Sequence, residues 1–314
     1  MVNSVSIGVS IVVPVYCAES RLEKLTKAIC YELTNTMPFE IILVDDASPD
    51  SSWSKILGIS SENASISGLR LAVNAGQHAA LLAGIRAAKY NVVVTMDDDF
   101  QNPPSEIRKL LDALKSNFEV VYGVSEEINQ TMPRKILSKV ARKLLAKTMG
   151  FDTAMQMSSF RAFRTGLRDA FDNEIGPSIS IDALLTWSTT RFTTVDVEHH
   201  ARVDGKSNYT LRKLTKFMIS TITNYSIIPL KISLLFGALI SVFGFLLFVW
   251  VMGNRIIFGD SVPGFPLLAA SITIFSGAQL LILGIIGEYI GNIHFRTMKK
   301  PTYVIAQVTN KQSE

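Results

Sequence analysis

Short apolar runs alternate with helical patterns of apolar residues over the first 122 residues of the chain. The runs are rich in Val, Ile and Leu, which is typical of parallel strands buried on both faces. The strands are predicted at 10–15, 39–44, 69–73, 91–96 and 119–122. Helices are predicted at 19–33, from about 52, at 77–89 and at 103–114. Repeated strand–helix units predict an α/β fold with a doubly wound, mostly parallel sheet.

Two much longer apolar segments follow near the end of the chain. Residues 232–254 and 261–287 carry no charged side chain over 23 and 27 positions. A helix rises about 1.5 Å per residue, so either segment can cross a hydrocarbon core of about 30 Å. Buried core helices are the alternative, but these rarely lack a polar face over such a length. The pattern predicts transmembrane helices at 230–254 and 261–288, joined as a hairpin by the short loop 255–260.

Basic residues flank the predicted hairpin on its outer sides. Those before and after it are Arg212, Lys213, Lys216, Lys231, Arg296, Lys299 and Lys300. The loop carries only Arg255. Positive charge marks the cytoplasmic side of a membrane, which predicts a multi-pass protein of the cell inner membrane with both termini cytoplasmic. The interrupted apolar run at the N-terminus is interpreted as a strand and not as a signal peptide.

The remaining segments complete a predicted domain plan. Residues 1–208 form a cytosolic domain, and 289–314 form a cytosolic tail. Between the domain and the hairpin, 209–229 has apolar residues near helical spacing with basic residues on its early turns. This pattern predicts an amphipathic helix on the membrane surface, with a plain linker helix as the alternative.

Composition agrees with this division and excludes several classes. The chain is 48% hydrophobic and 18% charged, against about 25% charged in average soluble domains, and its mean hydropathy is +0.27. Two cysteines exclude a disulfide-rich secreted scaffold. A net charge of +4 is too small to indicate nucleic-acid binding. The sequence has no G-x-G-x-x-G motif, no correctly spaced G-K-[ST] loop and no G-x-S-x-G motif.

Acidic residues follow two of the predicted strands at the point where each strand ends. Asp45 and Asp46 follow the second strand, and Asp97 to Asp99 follow the fourth. Ligands bind at the carboxyl ends of strands in such sheets, so both clusters are expected in one cleft. Asp97 and Asp99 could hold a hard divalent ion, with a solvated acidic turn as the alternative. Asp46 could bind a base or ribose, with an Asx-turn as the alternative.

Six segments occur in the order found in a known family. They read IVVPVYCAES, ILVDDASPDSSW, NAGQHAALLAGIRAA, VVVTMDDDFQNPPSEI, HHARVDGKSNYTLRKL and GEYIGNIHFRTMKKPTY. The chain resembles family 2 glycosyltransferases of the GT-A fold, and specifically the polyisoprenyl-phosphate glycosyltransferases. That group includes dolichol-phosphate mannose synthase and the bacterial undecaprenyl-phosphate sugar transferases. The resemblance covers nearly the whole chain, from about Val9 to Tyr303.

This resemblance implies roles for individual residues. Those implied to line the nucleotide pocket are Pro14, Tyr16, Glu19, Val44 and Asp46. Those implied to form the acidic metal and diphosphate motif are Asp97, Asp98, Asp99 and Gln101. Arg134 matches a basic residue that reaches the diphosphate, and Arg202 and Lys206 belong to a loop that contacts phosphate, donor or lipid. Asp182 stands where related transferases often place an acid, with a surface acid at a helix start as the alternative.

The chain also departs from the family pattern in places. The usual Asn-Glu after the Tyr is Cys17-Ala18, with Glu19 one residue later. An acid expected before a later strand is replaced by Met155, and the usual Lys before the loop Tyr is Asn208.

The resemblance implies transfer of a sugar from a nucleotide-sugar donor to a polyisoprenyl phosphate, with Mg²⁺ or Mn²⁺ as cofactor. The acceptor phosphate is already an anion, so little general-base help is required. One alternative is a transferase with a hydroxyl acceptor, which would need a base such as Asp182. A degenerate transferase acting as a membrane scaffold is the third hypothesis. A homo-oligomer packed through the hairpins is also expected.

Overall fold

The computed structural model describes residues 6–125, 157–171, 180–200, 228–258, 264–298 and 300–309. Arg134, Arg202, Lys206 and the predicted surface helix before residue 228 lie outside the described residues. Contacts divide the chain into two units. One contains Met1–Leu211 together with Lys299–Glu314, and the other is Arg212–Met298.

The first unit is built on an eight-stranded sheet. Its strands are β1 (Ser6–Val15), β2 (Phe39–Asp45), β3 (Ile66–Leu71), β4 (Tyr90–Thr95), β5 (Val120–Val124), β6 (Arg161–Arg164), β7 (Phe192–Asp196) and β8 (Ile305–Val308). Its helices are α1 (Leu22–Leu33), α2 (Ser52–Glu62), α3 (Gln77–Ala87), α4 (Ile107–Leu114) and α5 (Ile181–Ser188). Short 3₁₀ turns cover Pro104–Glu106 and Thr165–Phe171.

The strand order is β7-β5-β6-β4-β1-β2-β3-β8. β1 pairs in parallel with β2 and β4, β2 pairs in parallel with β3, and β5 pairs in parallel with β7. β6 is antiparallel to both β4 and β5, and β8 is antiparallel to β3. The predicted mostly parallel α/β sheet is confirmed. Because β1, β2 and β4 are parallel neighbours, their carboxyl ends meet at one edge of the sheet.

Apolar residues on both faces of the sheet explain why its central strands contain almost no polar positions. On β1, Val9, Ile11 and Val13 pack on one face against α1, α2 and α4. Val12 points to the other face, against α3 and α5. Burial of both faces removes the alternation of polar and apolar residues that marks a half-exposed strand.

Several elements were not predicted from the sequence. β6, β7 and β8 are four or five residues long, and their periodicity is too short to distinguish from loops. β3 covers Ile66–Leu71, three residues earlier than predicted at its start. α1 begins at Leu22, since the residues before it form turns.

The chain returns to the sheet after the second long apolar helix. β8 pairs with β3, so that Leu69 lies opposite Val308. The backbone N–H of Ala72 donates to the Val304 carbonyl at 2.8 Å. At the far end of β8, the hydroxyl of Thr309 accepts from the N–H of Gly68 at 2.6 Å. The segment interpreted from sequence as a tail therefore supplies an edge strand.

The second unit contains two long helices, α6 (Ile228–Phe258) and α7 (Gly264–Thr297). Both contain a stretch that is long and apolar enough to cross a membrane, Pro229–Val251 and Ile274–His294. Most large apolar side chains on these stretches are exposed, as expected for surfaces that contact lipid. Gly244 faces the ring of Phe275, and its missing side chain lets α6 and α7 approach closely. Both helices extend beyond their predicted ends at 254 and 288.

The tight contact between Gly68 and Thr309 generates a prediction about the docking of β8. A Cβ at Gly68 would lie 2.3 Å from Ile56 Cγ2 and 3.0 Å from Thr309 Cγ2. Overpacking of this kind costs roughly 1–3 kcal/mol, so Gly68→Ala should lower the melting temperature of the detergent-solubilised protein by several degrees. Gly58→Ala in α2 is the matched control, because its Cβ meets no atom within 4 Å. Equal melting temperatures for the two variants would contradict the close packing of Gly68 against Ile56 and Thr309.

Candidate active site

Strained backbone marks the edge of the sheet where β1, β2 and β4 end. Cys17, Ala47 and Phe100 have positive φ angles of 54°, 53° and 58°, and each follows one of these three strands. Residues other than glycine adopt this conformation at a cost, and such strain concentrates at functional sites. The edge predicted from the acidic clusters is therefore also the edge with unusual backbone geometry.

Asp46 lies at this edge, held by a loop from a neighbouring strand. One carboxylate oxygen accepts from the N–H of Ala75 at 2.7 Å, and the other accepts from the N–H of Gly76 at 2.9 Å. Burial raises the pKa of Asp46, and these two hydrogen bonds partly oppose that rise. The Asx-type contact belongs instead to Asp45, whose carboxylate accepts from the N–H of Ser48 at 3.1 Å. Asp46 is thus fixed by tertiary contacts.

Asp97 is held from two sides. Its Oδ1 accepts from Gln77 Nε2 at 2.6 Å, and its Oδ2 accepts from the Ser159 hydroxyl at 2.7 Å. Gln77 directly follows Gly76, the residue that donates to Asp46. One short segment therefore contacts both acidic clusters, and the structure places them at the same site.

The other two carboxylates of the acidic run have different surroundings. Asp98 is largely buried, and Arg21 Nη2 lies 3.4 Å from its Oδ1. Burial raises the pKa of Asp98 to about 6; the charges of Asp97 and Asp99 add to this rise, and that of Arg21 opposes it. Asp99 accepts from the N–H of Gln101 at 3.1 Å through one of its oxygens.

The residues implied for the nucleotide pocket do not all face the same way. Pro14 lies opposite Val44 in the register of β1 and β2. The side chain of Val44 is fully buried against α3, which leaves only its backbone for contact with a ligand. Tyr16 is 49% exposed just beyond β1. Glu19 lines an open cleft beside Lys55.

Asp182 lies in the first turn of α5 and forms an ion pair with Arg161 Nη1. Arg161 is only 1% exposed, and Tyr122 donates its hydroxyl to the same Asp182 oxygen at 3.1 Å. Burial raises the pKa of Tyr122 well above its ordinary value, and the charge of Asp182 adds to this effect. The phenol therefore remains a hydrogen-bond donor at physiological pH.

Sequence reasoning missed several residues of this site, among them Arg21, Gln77, Ser159 and Arg161. Gln77 could have been noticed as a polar residue at the start of an Ala/Leu-rich helix. Ser159 carries no signal in the sequence, since its contact depends on how β6 enters the sheet.

The segment after β7 also reaches the acidic motif. The N–H of His200 donates to the Gln101 carbonyl at 2.8 Å, and His199 Nδ1 lies 3.4 Å from Asn102 Oδ1. The implied residues Arg202 and Lys206 come directly after this segment in the sequence and lie outside the described residues.

A mixed α/β sheet with an acidic motif at the end of a central strand is the arrangement found in glycosyltransferases of the GT-A type. The chain belongs to glycosyl transferase family 2, whose model matches residues 10–171. Two relatives support this membership, and both are named undecaprenyl-phosphate 4-deoxy-4-formamido-L-arabinose transferase. The one from Serratia proteamaculans is 33% identical and the one from Yersinia enterocolitica 34%, in each case over 97% of this chain and 94% of the relative.

Solved structures show the same fold at much lower identity. Glucosyl-3-phosphoglycerate synthase from Mycobacterium tuberculosis, in complex with Mn²⁺, UDP and glucosyl-3-phosphoglycerate, gives a TM-score of 0.52 at 18% identity. The match covers 69% of this chain and 78% of the synthase chain. The same enzyme with Mg²⁺ and UDP also gives a TM-score of 0.52. Members of this fold are thus crystallised with either divalent ion.

The surroundings of His78, next to Gln77, generate a prediction about pH and stability. Burial lowers the pKa of His78, with the charge of Asp182 opposing this effect. The unfolded chain therefore binds a proton that the folded chain excludes, and stability is lost as the pH falls below about 6.5. His78→Asn keeps an acceptor but cannot titrate, so its melting temperature should fall less between pH 7.5 and 5.5.

The control for this measurement is His199→Asn, since His199 is exposed. It should keep the wild-type dependence of melting temperature on pH. If the melting temperatures of wild type and His78→Asn fall equally between pH 7.5 and 5.5, His78 makes no contribution to the loss of stability in acid.

Proposed function

We propose that this protein transfers a sugar from a nucleotide-sugar donor to undecaprenyl phosphate at the cytoplasmic face of the inner membrane. The observation that carries the proposal is the match over nearly the full chain to relatives named as undecaprenyl-phosphate sugar transferases. Two helices long and apolar enough to cross a membrane support a lipid acceptor. The product would serve in the synthesis or modification of a cell-envelope glycan.

The donor set at the end of β4 fits a divalent ion such as Mg²⁺ or Mn²⁺. Asp97 and Asp99 supply hard oxygen ligands one residue apart, and Mg²⁺ typically takes one or two carboxylates together with substrate phosphates. Among the described residues, no group of three or more acidic, His or Cys side chains is arranged as a complete protein-only metal site. A site completed by the donor diphosphate agrees with both facts. When bound, the ion would neutralise charge on the leaving diphosphate.

The protein's own residues would then bind and orient the reactants. Asp46, whose carboxylate is held by the amides of Ala75 and Gly76, would accept hydrogen bonds from the base or ribose. Tyr16 and Glu19 border the same edge of the sheet. Arg134, Arg202 and Lys206 would supply positive charge for the phosphates.

In the proposed reaction, an oxygen of the acceptor phosphate attacks the anomeric carbon as the bond to the nucleoside diphosphate breaks. The attacking oxygen is already anionic, so no proton must be removed from it. The barrier would fall through positioning of the two reactants and through stabilisation of the leaving group. This chemistry is compatible with Met155 at the position where the family often has an acid.

The return of the chain to the sheet supports the proposed topology. Met1–Leu211, which precedes α6 in the chain, and Lys299–Glu314, which follows α7, both belong to the unit that contains the sheet. If α6 and α7 each cross the membrane once, both termini lie on the side of the catalytic domain. The basic flanks of the hairpin indicate that this side is the cytoplasm. The homo-oligomer stays a prediction.

Replacing Asp99 tests the metal-dependent reaction. Asp99→Asn removes a charged ligand, so turnover of a nucleotide-sugar panel with undecaprenyl phosphate and Mg²⁺ should fall by at least about 100-fold, equivalent to 2.7 kcal/mol or more. Asp112→Asn is the control, because Asp112 is exposed and pairs with Lys115 on the surface of α4. Wild-type activity in Asp99→Asn would refute the assigned role.

A second measurement separates the phosphate acceptor from the hydroxyl alternative. Wild-type protein is given undecaprenyl phosphate or undecaprenol, which differ only in the nucleophile. Product is expected with the phosphate alone, because its anionic oxygen can attack without a base, whereas the hydroxyl of undecaprenol would have to lose a proton. Glycosylation of undecaprenol would favour the hydroxyl-acceptor hypothesis. Absence of nucleotide-sugar binding by calorimetry would favour the scaffold hypothesis.

A further inference from the structure

We infer that Asp182 is a positioning residue and not a catalytic base. Together with Arg161 it begins a hydrogen-bonded route to one carboxylate oxygen of Asp97, and the first turn of α5, which carries Asp182, contacts the start of α3, which holds the other oxygen. The inference rests on the proposed function, since it assigns Asp97 to the metal and diphosphate site.

The ion pair of Asp182 commits its carboxylate to a structural partner. Arg161 is 1% exposed, and its guanidinium cannot lose its proton under physiological conditions. Loss of the Asp182 carboxylate would leave this buried cation without its partner, which is strongly unfavourable. Tyr122 adds a second donor to the same oxygen at 3.1 Å. The carboxylate of Asp182 is therefore held in place by two side chains of the protein.

The first route runs from Arg161 to Asp97 through β4. Arg161 Nε donates to the Thr95 hydroxyl at 3.1 Å, and that hydroxyl donates to the Ser159 carbonyl at 2.7 Å. The Ser159 hydroxyl then donates to Asp97 Oδ2 at 2.7 Å. The orientation of one oxygen of Asp97 therefore depends on a chain of contacts that begins at the ion pair.

The second route runs from the start of α5 to the start of α3. The N–H of Ile181, next to Asp182, lies 3.4 Å from His78 Nδ1. His78 directly follows Gln77, whose Nε2 donates to Asp97 Oδ1 at 2.6 Å. The first turn of α5 therefore holds the first turn of α3, and Gln77 holds the other oxygen.

Both routes leave Asp97 able to bind a cation. Each carboxylate oxygen has two lone pairs, and the donor that ends either route occupies only one of them. Mutation of a side chain that orients a metal ligand typically lowers metal affinity by about 10- to 100-fold. Loss of Ser159 or of the ion pair should therefore weaken metal binding without removing any ligand.

The first test compares two adjacent serines by titration with Mn²⁺ alone, followed by electron paramagnetic resonance. Ser159→Ala should weaken Mn²⁺ binding by about tenfold. Ser158→Ala is the matched control, because the hydroxyl of Ser158 accepts from the N–H of Phe160. It should bind Mn²⁺ as the wild type does. Equal affinities in the two variants would overturn the first route.

The second test replaces Asp182 and separates positioning from base catalysis. Asp182→Asn should weaken Mn²⁺ binding and raise the apparent KM for Mn²⁺, while the pH dependence of kcat keeps its wild-type shape. A base would give the opposite result, with unchanged Mn²⁺ affinity and loss of the acidic limb of the pH profile. That result would overturn the inference.

A double variant covers the case in which Asp182→Asn fails to fold. Arg161→Met with Asp182→Leu removes both charges, and such replacements of buried pairs are often tolerated. It should fold, as judged by its melting temperature, and still bind Mn²⁺ more weakly than the wild type. Wild-type Mn²⁺ affinity in the folded double variant would overturn the role of the pair.

The outcomes distinguish this inference from the proposed function. Lipid-linked product formed by the wild type tests the function alone. Mn²⁺ affinity of Ser159→Ala and Asp182→Asn tests the positioning of Asp97, whichever acceptor the enzyme uses.

Discussion

The crowding of carboxylates at one edge of the sheet is the constraint on which the rest of the site depends. Asp46, Asp97, Asp98 and Asp99 all lie where parallel strands end. Two like charges 4 Å apart repel by about 4 kcal/mol near a protein surface. The fold relieves this repulsion in different ways: backbone amides hold Asp46, neutral side chains hold Asp97, and Arg21 lies against Asp98. A cation and the donor diphosphate would complete the balance.

The same edge is linked to the part of the chain that follows the apolar helices. The Val304 carbonyl accepts from Ala72, which begins the loop whose amides at Ala75 and Gly76 hold Asp46. Arg86 of α3 also lies 5.7 Å from the centre of the Tyr303 ring. Residues just after α7 therefore contact the elements that hold Asp46 at this edge of the sheet.

The parts of the fold with strong local patterns were predictable. β1, β2 and β4 are continuous apolar runs, and the acids that follow them could be assigned to one edge from the parallel arrangement alone. β6, β7 and β8 were not predicted, because a strand of four or five residues gains its stability from its neighbours and not from its own pattern. The ends of α6 and α7 were also missed, since helices continue beyond their apolar stretches where polar residues are compatible with helix.

By itself, the sequence determined the α/β class, the apolar pair of helices and the clustering of acids, since these follow from periodicity and chain connectivity. The tertiary structure decided which partner each carboxylate has. Asp97 meets Ser159 from 62 residues away, and Asp182 meets Arg161 from 21 residues away. Hydrogen bonds weaken steeply with distance and angle, so contacts between residues so far apart depend on the assembled sheet. Only that assembly distinguishes an acid held by a buried arginine from one available to a substrate.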